Sequence, residues 1–95
     1  MLIPIGHRNF VESANVLMIL RPDSAPAKRL RRSAAESGTL VNATNGRTVN
    51  SLIVLDTSHI VLSSLTVKTL KSRFMRLNPS EEKRMVALSE YSEIR

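Results

Sequence analysis

The stretch Arg21–Gly38, RPDSAPAKRLRRSAAESG, carries the start and the stop of a helix in its own residues. Asp23 or Ser24 can accept a bond from a free backbone N–H of the first turn. Pro26 suits that turn, where a missing N–H costs nothing. Gly38 can take the left-handed conformation that ends a helix. Between these ends, Ala27, Leu30 and Ala34 make a thin apolar stripe at helical spacing. Lys28, Arg29, Arg31 and Arg32 cover the rest. A solvated surface helix accounts for those charges, and so does a face that meets polyanions.

The apolar layer for this helix has to come from strands. Asn15–Arg21 is the clearest of them, with Val16, Met18 and Leu20 on one face and Leu17 and Ile19 on the other. A strand apolar on both faces is covered on both. The basic helix can cover one side, and another subunit can cover the other. Leu52–Leu55, within a strand Ser51–Asp56, has the same two-faced character. Leu2–Ile5 reads as a short strand with Pro4 at a sheet edge, Gly6 as a turn or bulge, and Asn9–Val11 as a partner strand. Thr39–Ala43 and His59–Ser64 complete the set. Asn45-Gly46, just after Thr39–Ala43, is a strong signal for a two-residue hairpin turn, because both residues tolerate positive φ.

Two helical segments follow. Thr66 can cap the first, whose stripe is Val67, Leu70, Phe74 and Leu77, with Lys68, Lys71, Arg73 and Arg76 around it. Asn78-Pro79-Ser80-Glu81 opens the second with an N-cap, a proline at N1 and an acidic N3. The predicted class is α+β: a small, mostly antiparallel sheet, one central helix and C-terminal helices. At 95 residues a single fold unit is expected. The division is residues 1–77 as the domain and 78–95 as a C-terminal helical extension.

Charge narrows the function. The net charge is +6, and it is uneven: residues 1–76 hold 11 Lys/Arg against 4 Asp/Glu, and residues 77–95 hold 3 against 4. A basic body suits nucleic acid or an anionic membrane. Aromatics make only 3%, so a base-stacking surface for single strands is not expected. With no Cys, there is no thiolate metal site or disulfide framework. No secretion signal is legible at the N-terminus, and the longest aliphatic run, Val16–Leu20, is far too short to span a bilayer. A cytoplasmic location and no membrane partner are expected.

Signals for catalysis are poor. His7 and His59 stand at no ligand spacing to another candidate, and Asp56 with His59 flanks a turn where polar residues are ordinary. No serine lies in a nucleophile-elbow context, and Asn45-Gly46-Arg47 lacks the glycine spacing of a phosphate-cradling loop. A non-enzymatic protein without a cofactor is expected. The cations remain as candidate DNA-contacting residues: Arg47 at its turn, and Lys28, Arg29, Arg31 and Arg32 on the helix.

Three blocks resemble the RemA family, regulators of extracellular matrix genes in biofilm-forming bacteria. They are Pro22-Asp23-Ser24-Ala25-Pro26 with Lys28-Arg29, Ala43-Thr44 with Gly46-Arg47-Thr48, and Asp56 with His59-Ile60-Val61-Leu62-Ser63. The resemblance runs from about Ile5 to Ser64. It implies a ring-forming α+β subunit and a nucleoid-associated transcriptional regulator. It also implies that arginines, Arg47 among them, contact double-stranded DNA from many subunits at once. The chain departs from the family pattern at Asn15, Thr48 and Asn50, where further cations are usual. Those departures keep a second reading open: a homo-oligomeric ring module for structure or protein interaction, without DNA binding.

Overall fold

The computed structural model describes residues 1–77. Strands β1 (Leu2–Gly6) and β2 (Asn9–Glu12) form a two-stranded antiparallel hairpin. A 3₁₀ turn, Ser13–Asn15, leads into β3 (Val16–Leu20), and helix α1 (Ala25–Ser37) follows. Then come β4 (Leu40–Asn42), β5 (Ser51–Leu55), β6 (Ile60–Ser63) and helix α2 (Val67–Leu77). The last four strands form one sheet in the order β3-β5-β6-β4.

Helix α1 begins as its residues predict. The Ser24 hydroxyl accepts the Ala27 N–H at 3.3 Å, so Ser24 and not Asp23 is the cap. Asp23 instead meets Arg21 at 3.1 Å. Gly38 sits at φ 73° and its N–H closes onto the Ala34 carbonyl. Thr66 caps α2 by accepting the Thr69 N–H at 3.2 Å.

The sheet has an apolar layer on each face. On one side, Leu52, Ile60 and Leu62 pack with Ala27 and Ala34 of α1. On the other, Ile53 and Val61 pack with Ile3, Ile5 and Val11 of the hairpin and with Leu70 and Phe74 of α2. The two faces of β5 are therefore covered within one subunit. This corrects the expectation that Leu52–Leu55 leaves a face over for a neighbour.

Strand β3 differs from the simple alternation. The register slips between Val16, opposite Leu55, and Met18, opposite Val54. A bulge at Leu17 reverses the parity. Val16 and Ile19 thus lie on the same side, in the layer of α2, and Leu20 packs in the layer of α1. Leu17 stays 59% exposed and Met18 48% exposed.

The Asn-Gly turn is present and its hairpin is not. Asn45 and Gly46 both have positive φ, 52° and 79°, and the Arg47 N–H donates to the Thr44 carbonyl at 3.0 Å. Strand β4 nevertheless pairs in parallel with β6, Leu40 opposite Ile60, and does not pair with β5. Leu40 and Ile60 share the layer of α1, so burial of β4 against β6 overrides the local turn preference. The helix expected from Asn78 onward lies outside the described residues.

Candidate nucleic-acid interface

Strand directions decide which loops meet. β3 and β6 each run antiparallel to β5, and β4 runs parallel to β6. The C-terminal ends of β3, β4 and β6 therefore share one end of the sheet with the N-terminal end of β5. Three loops emerge there: the one into α1 with Arg21, the one into β5 with Arg47, and the one into α2 just before Lys68. The hairpin is tied down at the same end. The buried Ser63 hydroxyl donates to the Ile5 carbonyl at 2.8 Å, one residue before the β1–β2 turn.

Arg47 is held by neutral neighbours. Thr44 is buried, and both its N–H (3.0 Å) and its hydroxyl (2.6 Å) donate to the Asn42 side-chain carbonyl. That fixes the base of the turn, and Arg47 stands exposed beyond it. A groove of about 320 Å³ beside it is lined by His7, Arg47, Thr48, Asn50 and Ser64. No carboxylate is among these residues. A second groove, of about 340 Å³, is lined by Arg21, Pro22, Asp23, Asn50, Thr66, Val67 and Lys68. Asn50 lines both, and its amide donates to the Ser64 carbonyl at 2.8 Å.

The electrostatics of this end are cationic. The Arg21–Asp23 pair is exposed on both sides, so water and salt screen it and it holds Arg21 weakly. The first turn of α2, Val67 and Lys68, lines the second groove, and a helix N-terminus carries partial positive charge. Arrays of guanidinium, amide N–H and hydroxyl donors suit phosphate oxygens.

The structure places the sequence candidates in two sets. Arg47 lies in the first groove. Lys28, Arg29, Arg31 and Arg32 are exposed along α1 and line neither groove. Thr48 and Asn50, uncharged, flank Arg47. His7, isolated in the sequence, comes beside Arg47. His59 instead has its Nδ1 2.8 Å from the Thr57 hydroxyl, inside the β5–β6 turn. His7 has no sequence signal as a partner of Arg47, because their meeting depends on strand direction. Among the described residues no three His, Asp or Glu side chains are grouped to hold a metal ion. None of the described helices is long and apolar enough to cross a membrane.

The sequence that builds this small α+β sheet and its loop cluster matches the model of one protein family. The model of the RemA-like family, described as extracellular matrix regulatory protein A-like, covers residues 2–74, and the chain belongs to that family. The match starts earlier and ends later than the blocks quoted above, taking in the hairpin and most of α2. Its relatives include a protein from Geobacillus sp. strain WCH70 named as a candidate regulatory protein. It is 45% identical over 71 residues, covering 75% of this chain and 82% of the relative. A similarly named protein of Oleidesulfovibrio alaskensis is 43% identical over 75 residues, 79% and 89% of the two chains. One from Fervidobacterium nodosum is 39% identical over 84 residues, 88% and 90% of the two chains.

Proposed function

We propose that this chain is a transcriptional regulator or architectural protein that binds double-stranded DNA as a closed homo-oligomer. The observation that carries the reading is Arg47: an exposed guanidinium on a turn anchored by buried Thr44, beside a groove without carboxylates. Such a group holds a phosphate through two parallel hydrogen bonds. One contact of this kind is weak, and a closed assembly repeats it, so that linked contacts gain through effective concentration. Arg21 and Lys68 extend the cationic surface at the same end. Lys28, Arg29, Arg31 and Arg32 offer a second set of backbone contacts along α1. The protein acts without a cofactor or catalysis.

The assembly is supported by the sheet edges. β3 and β4 are the two edge strands, and they expose Leu17, Met18 and Val41. Apolar edge strands invite pairing with another chain. One edge of a copy set against the opposite edge of the next is a heterologous contact, which closes into a ring when its rotation allows.

A second reading is favoured by Thr48 and Asn50, which leave Arg47 without charged company from its own loop. In that reading the ring is a structural or protein-interaction module. Fluorescence anisotropy of a labelled duplex, titrated over a salt series, separates the two. Binding that weakens steeply with salt supports the regulator. No salt-sensitive binding at micromolar protein refutes it and leaves the module.

A further inference from the structure

We propose that the β1–β2 turn is the second jaw of the phosphate site: His7, with Arg8 beside it, holds a DNA backbone phosphate against Arg47 across the groove they share. The proposal rests on the reading that the chain binds duplex DNA, and it adds residues that neither the charge pattern nor the loop of Arg47 points to.

The first observation is backbone conformation. His7 has φ 52° and Arg8 φ 65°, so both central residues of the two-residue turn are left-handed. Glycine or asparagine adopts that conformation far more easily than a residue with a long side chain. Here the glycine stands one position earlier, as Gly6 at φ 100°. Two demanding positions carry long polar side chains where small ones would fold more readily. Local strain of this sort collects where a side chain serves binding.

The second observation is how firmly the turn is aimed. The register shifts between Pro4 and Gly6, a bulge that redirects the side chains following it. Gly6 lies against the loop into α2: a Cβ there would come 3.5 Å from both Leu65 Cγ and Ser64 Oγ. Ser63 holds the Ile5 carbonyl, and the Arg73 guanidinium donates to the Pro4 carbonyl at 3.1 Å. The turn is thus fixed to β6 and α2 just before its tip.

The third is what His7 meets. Its groove partners are Arg47, Thr48, Asn50 and Ser64. Each can donate a hydrogen bond, and none is an acid. An oxyanion is the ligand class that uses such a lining, and phosphate is its form on duplex DNA. Arg8, exposed at the tip, adds a cation next to the jaw.

The test is the full chain with His7→Gly and Arg8→Gly together, compared with Arg47→Ala. Glycine relieves the left-handed turn, so melting should stay level or rise. Duplex affinity should fall about tenfold near 0.1 M salt, and the slope of log affinity against log salt should flatten by about 0.9 per phosphate released. Binding then falls without a loss of stability, which a purely structural turn cannot produce. Arg8→Asn alone, which also suits the turn, should show a smaller loss of the same kind. Replacing chloride by inorganic phosphate at constant ionic strength should change duplex affinity by no more than about twofold, because a single contact is weak beside a repeated one. The proposal is overturned if the double variant keeps wild-type affinity and slope while Arg47→Ala loses both; the DNA reading then stands without the turn. It is overturned if affinity and melting temperature fall together. It is overturned if inorganic phosphate displaces the duplex strongly, which marks a free-anion site. If the wild-type protein shows no salt-dependent binding, the turn and the DNA reading fail together.

Discussion

Ser51 and Ser63 face each other on β5 and β6, both fully buried, and their hydroxyls have different surroundings. Ser63 donates to the Ile5 carbonyl and accepts the Leu65 N–H at 3.1 Å. Ser51 Oγ has no hydrogen-bond partner among the described residues. Removing a hydroxyl that satisfies two buried groups leaves them without partners, at about 1–3 kcal/mol. Ser63→Ala should therefore lower unfolding free energy by about that amount, and it should loosen the hairpin that carries His7. Ser51→Ala leaves nothing behind and should be neutral or mildly stabilising. Urea unfolding of the two variants checks the contrast. Equal losses would mean that the two hydroxyls do equivalent work. The same economy appears at Thr44, which spends both of its donors on Asn42 and so holds the turn under Arg47.

Helix α2 adds Leu70 and Phe74 to the core, both buried against the hairpin and sheet. Phe74→Ala should cost about 3–5 kcal/mol, the usual loss for a truncated core aromatic. Thermal melting and the cooperativity of unfolding measure it, and a loss below about 1 kcal/mol would place α2 outside the core. The elements themselves were largely legible. Caps at Ser24 and Thr66, the stop at Gly38 and the stripe through Leu70 and Phe74 are local chemistry, readable from neighbouring residues. What stayed hidden was non-local. The bulge at Leu17 leaves no mark in an unbroken run of aliphatic residues, so simple alternation assigns Met18 and Leu20 to the face of Val16 and the structure does not. The Asn45-Gly46 turn fixes two backbone torsions but not which strand comes next to β4. The position of Arg47 outside the sheet was legible from that turn. Its neighbours His7 and Ser64 are not legible, since they meet it only through the parallel pairing of β4 with β6 and the tie from Ser63 to β1.

At the scale of the whole molecule, the described residues offer an apolar surface and a cationic one. The sheet edges expose Leu17, Met18 and Val41, and the end of the sheet gathers Arg21, Arg47 and Lys68. A lysine on an edge strand opposes pairing with another chain. Leu17→Lys should thus shift the mass found by light scattering toward the 10.6 kDa monomer, with secondary structure retained. A wild-type protein already monomeric at micromolar concentration contradicts the assembly. On the proposed function, assembly and DNA contact are coupled, because each subunit would supply only a few phosphate contacts and affinity would grow by repeating them. The most direct test is the salt dependence of duplex binding for the wild-type protein and for Arg47→Ala. Each phosphate neutralised contributes about 0.9 to the slope of log affinity against log salt. Arg47→Ala should weaken binding on every sequence and flatten the slope by roughly one unit for each subunit that touches DNA, with oligomer mass and melting unchanged. Wild-type affinity and slope in Arg47→Ala would contradict the account.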